Sequence, residues 1–400
     1  MRESAAVRRS AADEGAVEPR TVLTVLVGVH AINDFYVTVL PAFLPALADE
    51  FDLSYTDLGV LSFAFTLLTG VLSPVVGGEA DRRGRRRWIL VFGFLIGAVG
   101  FLGMAASPSF WLIVTVSLFC GLGGATYHPQ ATAFIVSAYP DKRGRMLGLH
   151  GWGGSFGHFA APAAVVLAVS VLNWRLTMVA LAIPMVMAAA LLQWRLREIP
   201  AAPAVRLRGA FSAPLLMISL SFGAVAMVGM SFINFSVKML VDEGWDTNDA
   251  GVILTVILLV GVVAQPLGGW ASDRVGGRTV MMIAAVGTTL FVALFALTGG
   301  ALSLVAIGGI SFCMFSLFPV SLAMASQLAP PTQTGASIGV VFGVSGLLTA
   351  LAKPAVGILG DITGDIRVAL SWLLPLALVA LVLAYRLGPS TRYVPPVVTK

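Results

Sequence analysis

The chain has 400 residues, 58% of them hydrophobic and 11% charged, with a mean hydropathy of +0.91, a formal net charge of +5 and two cysteines. That composition lies outside the soluble globular range and makes lipid the expected solvent. At about 20 apolar residues per crossing the length suffices for twelve crossings and short loops, but not for a large soluble domain. Cys120 and Cys313 sit in separate apolar runs, which speaks against a disulfide framework or metal site, and the basic residues are expected to orient loops rather than to hold nucleic acid.

Residues 1–20 carry Arg2, Arg8, Arg9 and Arg20 beside Glu3, Asp13, Glu14 and Glu18 and read as a disordered polar tail without the cleavage pattern of a signal peptide. Apolar segments follow at 22–47, 55–78, 88–106, 110–137, 146–170 and 174–194, giving an N-terminal six-helix bundle over 21–194. A basic linker at 195–210, with Pro200 and Pro203, leads to segments at 211–241, 249–270, 279–298, 302–328, 336–360 and 368–388. These form a C-terminal six-helix bundle over 211–388, and 389–400 is a second tail. The predicted fold class is therefore an all-α membrane protein of twelve transmembrane helices in two pseudo-symmetric bundles.

Lys and Arg collect in the first tail, at 82–87, at 142–145, in the linker, at Arg274 and Arg278, and after Tyr385. The opposite loops hold Arg175 and Arg367 but gather Asp49, Glu50, Asp52, Asp57, Asp242, Glu243, Asp246, Asp249, Asp361 and Asp365. The bias of cations toward the cytoplasmic side predicts a multi-pass protein of the cell (inner) membrane with both termini in the cytoplasm.

An internal repeat is visible at an offset of 192, where Gly77-Gly-Glu-Ala-Asp81-Arg82-Arg-Gly84-Arg85-Arg86 overlays Gly269-Trp-Ala-Ser-Asp273-Arg274-Val-Gly276-Gly-Arg278. Asp57-Leu-Gly59 overlays Asp249-Ala-Gly251, and Pro162 overlays Pro354, at the same offset. Duplication in a membrane protein usually places a solute site between two halves that rock against each other. Asp81 and Asp273 are expected where a helix ends, accepting hydrogen bonds from a neighbouring helix N-terminus and pairing with Arg82, Arg85 or their counterparts. Such contacts would gate the protein, with Gly77, Gly84, Gly269 and Gly276 allowing close helix ends and Arg274 completing the second copy. Gly277 stands where the first copy has Arg85, so the second latch is expected to be weaker.

This repeated loop run, with twelve helices in two halves, resembles the major facilitator superfamily. Within it, His30-x-x-Asn33-Asp34-x-Tyr36, Leu40-Pro-Ala-Phe-Leu-Pro45 and Tyr127-His128-Pro129 are similar to the fosmidomycin-resistance branch, and that resemblance implies proton-coupled export of an antibiotic or metabolite. Four positions depart from the pattern. Gln130 stands where the branch commonly has an acid, Ser117 where drug antiporters have an arginine, and Val165-Val166 where the exporter signature has its last glycines. The departures favour an alternative, an importer or exchanger of an organic anion without exporter coupling.

An unpaired charge at a helix centre costs about 2.5–3.5 kcal/mol even on the gentler scale, so ionisable residues within the segments are candidates for function. Asp34 lies mid-segment, four residues after His30 and beside Asn33. A carboxyl next to an imidazole in such a setting is suited to load and release a proton, and His128, before the helix-breaking Pro129, joins them as the expected proton-coupling set. A structural hydrogen bond to a neighbouring helix is the plainer reading of Asp34. His150 and His158 share a helix face with Gly154. No histidine has metal-site spacing, so neither a metal nor a cofactor is expected. Lys353, before Pro354, and Lys238, near a segment end where it can snorkel, are the candidate cations for an anionic solute. Asn33, Tyr36, Tyr127, Gln130, His150, Trp152, His158 and Asn234 complete the expected substrate-binding set, with Phe35, Phe232 and Phe342 as further aromatics. No nucleophile–base motif, phosphate loop or metal cluster suggests an enzyme. The expected partners are a small solute, protons and the bilayer, with the protein itself a monomer.

Overall fold

The computed structural model describes residues 18–139, 142–198, 212–328 and 334–387. Most of the first tail, most of the linker and all of the second tail lie outside the described residues. Within them the chain is helical, with no strand, and twelve spans are long and apolar enough to cross a membrane.

The first predicted segment is two helices, α1 (Pro19–Val37) and α2 (Leu40–Phe51), rather than one. Pro41 has no backbone N–H to give and sits in the first turn of α2, where none is needed. Thr38, freed at the break, donates its hydroxyl to the carbonyl of His158 at 3.1 Å. α3 (Tyr55–Arg83) starts from a capping box in which Ser54 and Asp57 serve each other's backbone N–H, and stops at Gly84 with φ +66°. α4 (Arg86–Ala106), α5 (Phe110–Ala138), α6 (Arg143–Leu172) and α7 (Trp174–Arg195) complete the N-terminal half.

The C-terminal half repeats the plan with α8 (Ala213–Asp242), α9 (Thr247–Val275), α10 (Gly277–Leu297), α11 (Gly300–Leu328) and α12 (Thr334–Thr363). The last predicted segment is also broken, into α13 (Ile366–Ser371) and α14 (Leu374–Arg386), where Pro375 again falls in a first helical turn.

One end of the bundle carries the cations of 82–87, the other the acids named above; we refer to them as the basic and acidic ends. Arg175 and Arg367, the two arginines at the acidic end, are themselves 192 residues apart. Each pairs with an acid of its own half, Arg175 with Glu50 at 2.9 Å and Arg367 with Glu243 at 3.1 Å. Each also donates to carbonyls at the end of a neighbouring helix, Ala105 and Ser107 for Arg175, Phe295 and Thr298 for Arg367. They therefore tie helix ends together within each half, which accounts for cations on that side.

The halves meet along two antiparallel helix pairs. α3 lies against α12 from end to end, and α6 against α9, where Ser155 donates to the carbonyl of Gly261 at 3.2 Å and Thr255 accepts from the N–H of Ala163 at 3.0 Å. Large apolar side chains such as Trp111, Phe92 and Leu297 remain exposed on the outside, as lipid solvation demands.

Without a hydrophobic drive between helices in lipid, close packing at small residues holds such a bundle together. At Gly157 of α6 an added Cβ would lie 2.1 Å from the carbonyl oxygen of Ala31 on α1, whereas at Gly28 it would meet nothing within 4 Å. Gly157→Ala is therefore expected to cost about 1–3 kcal/mol by overpacking, read as a lower unfolding temperature of purified protein in detergent, and Gly28→Ala to leave that temperature unchanged. Equal behaviour of the two variants would contradict the close approach of α1 and α6.

Candidate functional site

Between the halves lies a cavity of about 170 Å³. The N-terminal half contributes Asn33, Asp34 and Tyr36 from α1, Phe65, Thr66 and Thr69 from α3, Phe94 and Phe101 from α4, His128 from α5 and His158 from α6. From the C-terminal half come Phe222 and Met230 of α8, Phe318 of α11, and Phe342, Ser345, Thr349 and Lys353 of α12. The walls are mostly aromatic and thioether surface, with polar groups at a few points, as solute sites generally are.

Asp34 is 5% exposed and is approached from three helices. His30 Nε2 is 3.0 Å from Oδ2, His158 Nε2 is 3.3 Å from the same oxygen, and His128 Nε2 is 3.6 Å from Oδ1. Asn33 donates to Oδ1 at 2.8 Å. The arrangement needs space: a Cβ on Gly154 of α6 would lie 2.3 Å from Asp34 Oδ2 and 2.6 Å from the His30 ring.

The His30 tautomer follows from its other nitrogen. Nδ1 is 2.7 Å from the carbonyl oxygen of His150, and because a carbonyl only accepts, Nδ1 carries hydrogen. Its Nε2 stands 3.0 Å from Asp34 Oδ2, off the hydrogen-bond axis. The electron-pair donors of His30, Asp34 and His128 lie within 4.8 Å of one another, which leaves room for one small cation. The sequence groups these three residues, but not their convergence, because His128 comes from a different helix than His30 and Asp34.

Lys353 is 9% exposed. Its ammonium donates to the Thr66 hydroxyl at 2.6 Å and to the Ser62 carbonyl at 3.4 Å, across the interface between halves. Among the described residues no carboxylate forms an ion pair with it. His128 also reaches across, with its ring stacked on Phe342 at 4.2 Å between centroids.

Of the predicted solute contacts, Asn33, Tyr36, His158 and Lys353 line the cavity together with the proton candidates Asp34 and His128. The others lie elsewhere. Tyr127 is fully buried, donating to the carbonyl of Leu26 at 2.8 Å and stacking on His30. His150 stacks on His30 at 4.0 Å. Trp152 is 54% exposed on the outer surface, where its helix position turns it to lipid. Asn234 is buried within α8 outside the cavity lining, and Lys238 pairs with Asp242 at the acidic end. Gln130 lies toward the basic end, accepting from Arg86 at 3.0 Å. Of the aromatics, Phe342 lines the cavity, while Phe232 packs on Phe295 in the core. The hydroxyls of Thr66, Thr69, Ser345 and Thr349 went unnoticed in the sequence, where small polar residues in apolar helices carry no distinguishing pattern.

The loop signature is built differently from expectation in one respect. Asp81 pairs with Arg86, not with Arg82 or Arg85; Arg82 pairs with Glu79 at 2.8 Å, and Arg85 is exposed. The reason is geometric: Arg82 leaves α3 on its solvent face, whereas Arg86 begins α4 beyond the turn at Gly84 and points back into the bundle. Asp81 Oδ2 also accepts from the N–H of Ala336 at the start of α12 at 2.9 Å, with Gly77 opposite the Gly335 carbonyl. The second copy is looser. Asp273 is exposed, Arg274 lies over the Trp270 ring at 3.9 Å, Gly276 turns the chain at φ +86°, and a Cβ at Gly269 would touch only Pro319 at 3.9 Å.

Comparison with known proteins agrees with this architecture. The sequence profile of the Major Facilitator Superfamily matches residues 26–225 and 219–399. The chain is 27% identical to the uncharacterized MFS-type transporter YfnC of Bacillus subtilis (strain 168), over 90% of this chain and 92% of that protein. It is 23% identical to the fosmidomycin resistance protein of Escherichia coli (strain K12), over 84% and 85% respectively. Its fold is similar to the crystal structure of a bacterial homologue of the human lysosomal transporter Spinster in an inward-facing, occupied conformation. There the TM-score is 0.75 at 16% identity, covering 95% of this chain and 100% of the other. With a two-half bundle, a solute-sized cavity at the interface and a profile match over nearly its whole length, the chain belongs to the major facilitator superfamily and is a secondary transporter of the membrane, not an enzyme.

Proposed function

We propose that the protein moves a small anionic solute by alternating access and couples that movement to protons held at Asp34, as a proton-coupled exporter of an antibiotic or metabolite. The observation that carries the reading is the pairing of unlike sites in one cavity. Lys353 is buried, with a hydroxyl and a carbonyl but, among the described residues, no carboxylate for partners, and a buried charge without a counter-ion is costly. A solute carboxylate or phosphonate supplies that counter-ion. On the same cavity, the close contact of His30 Nε2 with Asp34 supports a bound proton there. His128 and His158 approach the same carboxylate and offer the proton further positions.

In this reading the two helix pairs at the interface are the rocking surfaces, and Asp81 with Arg86 and the start of α12 holds the basic end shut. The basic end is cytoplasmic, by the cation bias of its loops, which places both termini in the cytoplasm of the cell membrane. The protein works as a monomer, since the cavity lies wholly between its own two halves. The export direction rests on the 23% identity to a fosmidomycin resistance protein.

A second reading, uncoupled exchange or import of an organic anion, is favoured by Gln130. Where the related branch commonly has an acid, this chain has an amide that binds Arg86, and an amide holds no exchangeable charge.

In liposomes with an internal pH dye, small phosphonates and carboxylates are expected to drive proton movement in the wild type, and Asp34→Asn to abolish it. Labelled solute moving equally in both proteins without protons would establish the second reading instead. Lys353→Met keeps most of the side-chain volume and removes the charge; it is expected to raise the KM for the anion at least about tenfold, the equivalent of about 1.4 kcal/mol. A screen in which only cationic or neutral compounds moved would refute the anionic reading.

A further inference from the structure

α3 and α12 run antiparallel and in contact along their lengths, so each places its C-terminal turn beside the N-terminus of the other. At the basic end this brings Asp81 of α3 to the N–H of Ala336. The acidic end has a counterpart that no loop motif marks. Asp361, near the C-terminus of α12, accepts from the N–H of Tyr55 through Oδ1 and from the N–H of Thr56 through Oδ2, both at 2.9 Å.

Tyr55 and Thr56 are the first two residues of α3, and the N–H groups of a first turn have no partner within their own helix. Ser54 serves the N–H of Asp57, leaving those of Tyr55 and Thr56 to Asp361. The carboxylate thus takes two charge-assisted hydrogen bonds at the positive end of the helix dipole. The helices are close enough for this because a Cβ at Gly357 would lie 2.2 Å from the Tyr55 carbonyl oxygen, and one at Gly59 would lie 2.6 Å from the carbonyl oxygen of Lys353. The Tyr55 hydroxyl donates to Asp242 of α8, which pairs with Lys238, so α3 is held here by two helices of the other half.

We propose that Asp361 is the positioning residue that latches the acidic mouth of the cavity, acting from α12 on α3 as Asp81 acts from α3 on α12. The two carboxylates stand about 39 Å apart along the helix pair, taking 1.5 Å per residue between Tyr55 and Asp81. Both latches are made in this structure. Tilting the halves apart at one end breaks the latch there and leaves the other in place, so either mouth opens at the expense of one carboxylate only. The latches differ in strength. Asp81 is buried and paired with Arg86, whereas Asp361 is exposed and has only neutral donors, the backbone N–H groups of Tyr55 and Thr56 and the hydroxyls of Ser54 and Thr56. The acidic mouth therefore opens more readily than the basic one. Asp361 also lies two turns from Lys353 on the same helix, so the element that releases this mouth is the one that carries the solute's cation.

The inference rests on alternating access but on neither the solute nor the proton, and its test uses neither. Cys120 and Cys313 are both buried, whereas Met230 is half-buried at the cavity wall. Modification of a Met230→Cys variant lacking both native cysteines by a membrane-impermeant maleimide, applied to right-side-out and inside-out vesicles with the cysteine-free protein as blank, reports which mouth is open. Asp361→Ala is expected to speed labelling from the acidic side at least about fivefold, the scale of losing hydrogen bonds to one exposed charge, with the basic-side rate unchanged. Asp81→Ala should do the reverse, and Asp361→Asn, which keeps one acceptor oxygen, should fall between wild type and alanine. A wild-type labelling rate from the acidic side in Asp361→Ala would overturn the proposal. So would equal acceleration from both sides, which marks a loosened bundle rather than a released latch.

Discussion

A carboxylate at membrane depth must be neutralised or hydrogen-bonded by its own protein, because the hydrocarbon offers nothing. Much of the N-terminal half is arranged around that demand at Asp34. α1 supplies His30 and Asn33, α5 supplies His128, and α6 supplies His158. The approach of α6 depends on Gly154, since any side chain there would take the volume of the Asp34–His30 pair. The orientation of His30 depends in turn on the backbone of His150, one turn before Gly154 on the same helix. One buried acid thereby fixes the relative position of three helices.

The opposite wall of the cavity obeys the same rule with the sign reversed. Lys353 reaches from α12 to Thr66 and Ser62 on α3, so the ammonium is held by neutral dipoles of the other half. Hydrogen bonds of that kind orient the cation without cancelling its charge. The contrast with Arg175 and Arg367 is instructive. Those guanidinium groups sit at the acidic end with a carboxylate each and with carbonyls at further donors, which balances their charge and makes them fasteners. Lys353, with acceptors but no counter-ion, keeps unspent attraction for an anion.

The interface between halves is narrow in the elements it uses. α3 with α12 and α6 with α9 make most of it, packed at small residues that let backbone meet backbone. Such surfaces slide and tilt without tearing an interdigitated core, a property suited to a protein whose halves must rock. Where α3 and α12 end, their unpaired backbone N–H groups are exposed to carboxylates of the partner helix, at Asp81 in one direction and at Asp361 in the other.

The sequence by itself determined the solvent, the number of spans, the duplication and the residues that must carry buried charge. Hydropathy, a repeated offset and the cost of ionising a group in lipid are properties of the chain read along its length, so Asp34, His30, His128 and Lys353 could be singled out without coordinates. The breaks after Val37 and after Ser371 were less legible, because an apolar run reads the same whether or not a proline near a first turn divides it. What only the tertiary structure decided was partnership. Which arginine Asp81 meets depends on the turn at Gly84, Trp152 faces outward because of the rotation of α6 about its axis, and Gln130 falls outside the cavity because α5 runs on toward the basic end. The convergence of three imidazoles on one carboxylate, and of Asp361 on the first turn of α3, joins residues far apart in the chain. Periodicity places a residue on a face of its own helix, but which helix that face meets is settled only when all twelve spans pack.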